Sequence, residues 1–149
     1  MNKYPLYIDG PGFNVFWSCA ASSEEYAISA PIPGGLIIDR MVITTSTTAG
    51  TDHQLFVSVV NNPNKTEANL LAGARLIQTD DRGPTGPRAM VPVGVGFGED
   101  QRQSREIAVG YQTQNNPVYL LFLADNGEST VMNTLASIYT KRITWVEKG

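Results

Sequence analysis

Residues 36–48 read Leu-Ile-Ile-Asp-Arg-Met-Val-Ile-Thr-Thr-Ser-Thr-Thr, the strongest strand signal in the chain. β-Branched side chains lose rotamer freedom in a helix and pack well on a pleated surface, so a run this dense favours a strand. Shorter runs of the same kind recur along the sequence. Residues 13–20 alternate, with Phe13, Val15, Trp17 and Cys19 on one side and Asn14, Phe16, Ser18 and Ala20 on the other. That is the period of a half-buried strand. Residues 25–30 form a second short strand, closed by Pro31, Pro33, Gly34 and Gly35, since proline cannot donate to a ladder. Residues 53–60 repeat the strand signal after a short polar loop, and with 36–48 they read as a hairpin.

The β pattern breaks at 61–73. Asn64 followed by Glu67 resembles a capping box, Ala68, Leu70, Leu71 and Ala72 form a helical body, and Gly73 ends it. One or two helical turns are expected there. Strands resume at 74–79, 90–97, 105–113 and 118–124, with one or two more in 130–146. The segment 80–88, rich in Asp, Gly and Pro, is a loop, and Asp125-Asn126-Gly127 a tight turn. Eight or nine strands with one short helical segment predict an all-β fold, an antiparallel β-sandwich of jelly-roll type. Residues 1–12, with Pro5, Gly10, Pro11 and Gly12, read as an extended N-terminal arm, and 13–149 as a single sandwich domain.

Composition narrows the functional classes. Charged residues are only 17% of the 149, and the net charge is −3. A nucleic-acid binder needs a basic surface to neutralise phosphates. The arginines between Arg75 and Arg105 are matched by Asp80, Asp81, Glu99, Asp100 and Glu106, so nucleic acid is not an expected partner. No apolar run approaches a membrane span, and the N-terminus lacks the apolar core of a signal peptide. Folding in a reducing cytoplasm is the simplest reading.

No catalytic residue, cofactor or metal site is expected. His53 is the only histidine and Cys19 the only cysteine. A Ser-His-Asp or Cys-His arrangement would have to use His53, which stands at a strand start beside Asp52. Neither a disulfide within the chain nor a Cys-based zinc site can be assembled. The neighbouring carboxylates Glu24-Glu25, Asp80-Asp81 and Glu99-Asp100 fall in turns or at strand starts, whereas a glycosidase holds its pair rigidly across a cleft. Asp39 and Glu106 lie on strands. The spacing of a calcium loop is missing, and Gly94-x-Gly96-x-Gly98 lacks the spacing of a phosphate loop.

One strand is apolar on both faces. In 118–124, Val118, Leu120, Phe122 and Ala124 can face a core, and Tyr119, Leu121 and Leu123 then face outward. An antiparallel sandwich normally leaves that face polar. Two readings stand open. Either Tyr119, Leu121 and Leu123, extended by Phe16 and by Leu55 or Phe56, form an interaction surface, or the 64–73 helical segment or the N-terminal arm covers them.

A signal-less chain of low charge density with an extended arm, Thr-rich strands and an apolar outer face resembles the small jelly-roll proteins that build or decorate virus and phage particles. The resemblance spans about 13–146 and is architectural, with no diagnostic motif. It implies a non-enzymatic structural protein (capsid, cement or decoration, or fibre component), located in the virion after folding in the host cytoplasm. Its expected partners are further copies of itself, as a homo-oligomer such as a trimer, and other virion proteins. A carbohydrate- or receptor-binding module, with a glycan as partner, is the alternative, because Trp17, Tyr111, Tyr119, Tyr139 and Trp145 lie on or near strands. A jelly-roll glycosidase is the second alternative.

Overall fold

A computed structural model describes residues 2–46, 53–73, 77–80, 102–127 and 130–147. Among them are nine strands and one helix: β1 (Lys3–Asp9), β2 (Phe13–Cys19), β3 (Ser23–Ile28), β4 (Leu36–Ser46), β5 (His53–Val60), α1 (Glu67–Leu71), β6 (Ile77–Asp80), β7 (Arg102–Gln112), β8 (Tyr119–Asn126) and β9 (Met132–Glu147). The expected loop at 80–88 and strand at 90–97 lie, but for Asp80, outside the described residues.

The pairing gives the fold its name. Strand β2 pairs β9, β3 pairs β8, β4 pairs β7 and β5 pairs β6, all antiparallel. The chain is thus one long double strand, wrapped so that successive pairs fall alternately in two sheets. Pairing of β4 with β9 and of β5 with β8 closes the sheets. One sheet runs β2-β9-β4-β7, with β1 also on β9, and the other runs β3-β8-β5-β6. This is an all-β, antiparallel sandwich of jelly-roll type.

Several local expectations are corrected. Strands β4 and β5 do not form a hairpin: they lie in different sheets. Each pairs elsewhere, β4 with β9 and β5 with β8, so that the apolar faces of the two strands meet across the core between the sheets. Helix α1 is capped by Thr66, whose Oγ1 accepts from the Asn69 amide at 3.2 Å. Asn64 instead offers its carbonyl to the Asn69 side chain at 2.9 Å. Asp125 and Asn126 remain in β8. Asn126 is held there because its buried side-chain amide donates to the carbonyls of Cys19, Ala20 and Thr130 at 3.2, 3.2 and 2.7 Å. Residues 132–147 form one unbroken strand.

The main core fills the space between the sheets. From β2 it takes Val15, Trp17 and Cys19, from β4 Ile38, Met41 and Ile43, and from β5 Leu55, Val57 and Val59; β8 adds Leu120, Phe122 and Ala124. Trp17 and Phe122 meet with ring centroids 5.0 Å apart, tilted by 43°, and so tie one sheet to the other. Each large side chain buried this way contributes about 1.5–3 kcal/mol relative to exposure.

A second, smaller core lies outside the sandwich. Helix α1 sits on the outer face of the β3-β8-β5 sheet and buries Leu70 against Phe56, Val60, Leu121 and Leu123, with Tyr26, Ile28, Leu71 and Tyr119 at the margin. Gly73 lets the chain leave the helix so close to the sheet: a Cβ there would overlap Ser58 Oγ and lie 2.8 Å from Ser58 Cβ.

Candidate interaction surface

The second core decides the fate of the predicted patch. Leu121 and Leu123 are 0% exposed and Tyr119 is half-buried. The outer face of β8 is apolar because α1 needs something to pack on, so Leu121 and Leu123 are not open to a partner. Phe16 differs. It is 67% exposed, on the outer face of the opposite sheet, so it does not extend the β8 patch. Leu55 lies in the main core and Phe56 beneath α1.

The exposed apolar surface lies along β9. Inward-facing Met132, Thr134, Ala136, Ile138 and Thr140 are buried. The alternate residues therefore face out: Leu135 and Tyr139, then Lys141, Ile143 and Trp145. Leu135 stands opposite Phe16 on β2, Ile143 opposite Tyr7 and Trp145 opposite Pro5 on β1. Directly opposed residues share a face. One stripe therefore runs from Phe16 and Leu135, past Tyr139, to Tyr7, Ile143 and Trp145. Trp145 is 62% exposed.

Beyond Arg142, β9 has left β4 behind and, among the described residues, pairs only with β1. Residues 3–7 and 143–147 are thus a two-stranded ribbon, and every residue of β1 is exposed. Its other face carries Tyr4, Leu6 and Val146, with Ile8 at its base. Two-stranded ribbons are marginal alone in water, and this one is apolar on both faces. A neighbour covering one of these large side chains would recover about 2 kcal/mol before the costs of association. The strand over 143–146 is expected from sequence, whereas residues 3–9 of the expected arm pair with it as β1.

Charges gather midway along the stripe. The Arg40 guanidinium lies 4.1 Å from the centroid of the Tyr139 ring. Arg40 approaches Asp39 at 4.0 Å and Glu106 at 3.7 Å, and Lys141 Nζ reaches Asp39 at 3.8 Å. Asp9, Gly10 and Gly12 join Asp39, Arg40 and Tyr139 around a groove of about 510 Å³. Asp39 and Glu106, the two carboxylates noted on strands, are thus held by a shared cation. Exposed pairs of this kind are worth about 0–1 kcal/mol each.

Cys19 is buried, its thiol donating to the Ser23 carbonyl at 3.2 Å, and burial pushes the thiol pKa up. Only the backbone of His53 is described, within β5. Among the described residues no three His, Cys, Asp or Glu side chains are grouped to hold a metal, and no helix is long and apolar enough to cross a membrane.

No protein-family model and no curated protein matches the chain. Its architecture is similar to that of several solved structures. A chain of the cyanophage Pam1 capsid asymmetric unit has 12% identity and a TM-score of 0.47, over 89% of this chain and 84% of that one. A chain of the acid-stable capsid of Helicobacter pylori bacteriophage KHP30 has 9% identity and a TM-score of 0.47, over 97% and 100%. A family 16 carbohydrate-binding module has 13% identity and a TM-score of 0.35, over 87% and 74%. At these values the likeness is one of architecture and carries no argument about activity.

Proposed function

We propose that this chain is a non-enzymatic structural protein of a virus or phage particle, a capsid, cement or fibre component that works by protein–protein assembly. The observation that carries the assembly half is the terminal ribbon, apolar on both faces and exposed along all of β1. A two-faced apolar ribbon suits a place between neighbouring subunits, where both faces are covered. The virion half rests on fold-level analogy: jelly rolls serve in viral shells, lectins and cupins. A metal-binding cupin is disfavoured by the single histidine. A glycosidase is disfavoured because Asp39 and Glu106 are already ion-paired through Arg40. The test is mass spectrometry of particles purified from cells that carry this sequence. The chain is expected at a fixed ratio to the shell protein, and its absence from the particles overturns the reading.

A second reading has one observation in its favour. Trp145 and Tyr7 stand diagonally on one face of the ribbon, both exposed, and flat aromatic surfaces also bind sugars. Glycan-array binding that disappears in Trp145→Ala would support a carbohydrate-binding module; an array without signal removes it.

A further inference from the structure

The stripe along β9 is self-complementary, and we infer that it is the contact by which two copies of this chain pair about a two-fold axis. The inference rests on the assembly reading above and names the first partner: a second copy, packed outer face to outer face.

Four observations carry it. First, among the described residues no element is laid over the stripe: Tyr7, Phe16, Leu135, Tyr139 and Trp145 all stay exposed. Leu135, Tyr139 and Trp145 belong to one unbroken strand, so the stripe is a continuous surface.

Second, the order of groups along the stripe suits a two-fold. Phe16 and Leu135 lie at one end, Tyr7 and Trp145 at the other, and the Arg40 cluster between them. Two antiparallel copies set each Phe16 end on the partner's ribbon. Sheet faces pack in this way about 10 Å apart.

Third, the charges are complementary. The middle of the stripe interleaves two cations, Arg40 and Lys141, with three anions, Asp9, Asp39 and Glu106. Placed near a two-fold axis, charges of both signs let the cations of each copy reach the partner's anions.

Fourth, the area suffices. The large apolar side chains of the stripe expose on the order of 600 Å² per copy. Complete burial of these side chains in the pair would remove about 1,200 Å², which reaches the lower bound of a specific stable interface.

The experiment uses the full chain and two exposed sites, Phe16→Asp and Trp145→Asp, with circular dichroism to establish that each variant stays folded. The unsubstituted chain is expected to sediment as a dimer at micromolar concentration, and each variant as a monomer. In a homodimer of either variant, both end contacts carry a substitution. In a mixed pair the two substitutions fall on the same contact and the other is intact. An equimolar mixture is therefore expected to regain dimer, with a dissociation constant at least tenfold below that of either variant alone. A monomeric unsubstituted chain overturns the inference, as does a dimer indifferent to both substitutions or a mixture that regains nothing. If the chain is monomeric in solution yet present in particles, the pairing falls and the structural role stands. If it dimerises through the stripe but is absent from particles, the pairing stands and the virion role falls.

Discussion

The amide of Gly10 donates to the carbonyl of Thr140 at 2.9 Å, and a Cβ on Gly10 would come within 2.5 Å of Thr140 Oγ1. That hydroxyl is engaged, donating to the Pro11 carbonyl at 2.6 Å. Thr140 is the last buried residue of β9 before the ribbon. The joint between β1 and β2 is therefore pinned where the ribbon leaves the sandwich, which sets the ribbon's direction before any partner arrives.

Gly10→Ala is expected to cost about 1–3 kcal/mol, because the added methyl must displace an engaged hydroxyl. Thr140→Val removes only the bond to Pro11 and is expected to cost about 1 kcal/mol. Denaturant unfolding gives both values. Hydrogen exchange should show earlier loss of protection in β1 than in β4 for Gly10→Ala.

Leu121→Ala is expected to lower stability by about 2–5 kcal/mol, the usual range for emptying a buried leucine site. Its association state should be unchanged wherever it remains folded. If it instead dissociates an oligomer at full stability, the outer face of β8 is an interface after all.

Asn126→Asp places a carboxylate where three backbone carbonyls now accept hydrogen bonds from an amide. Losing the donor and burying a charge among acceptors is expected to cost about 3 kcal/mol or more. Thermal melts across pH should show the deficit shrinking in acid, where the carboxyl is protonated and can donate.

Cys19 gives a dependence on alkaline pH. Its folded pKa lies above the ordinary thiol value because burial disfavours the thiolate. The unfolded chain therefore releases the proton first as pH rises. The stability contribution is complete below the ordinary thiol pKa and is lost as pH climbs from there towards the folded pKa. Relative to Cys19→Ala, the native chain should lose melting temperature between neutral pH and about pH 10. Parallel curves for the two proteins would contradict the assignment.

Much of the fold was legible in the sequence. The alternation of residues 13–19 put Val15, Trp17 and Cys19 inside and Phe16 outside, as the structure has them, because a strand's side chains have a period of two whatever it pairs with. The helical break at 61–73 was likewise a local matter of capping and periodicity. Pairing was not legible. The expected hairpin of β4 with β5 failed because strand propensity reports what a segment becomes, while its partner is chosen by burial against strands far away in sequence.

The same division separates the two surfaces. Sequence by itself determined that 118–124 is apolar on both faces and that Phe16 opposes the core side of its strand. Only the tertiary structure decided that Leu70 seals Leu121 and Leu123, whereas Tyr7 and Trp145 meet on one exposed ribbon face. Which apolar face stays open depends on what else the chain lays over it, and that covering is a long-range contact with no local signature.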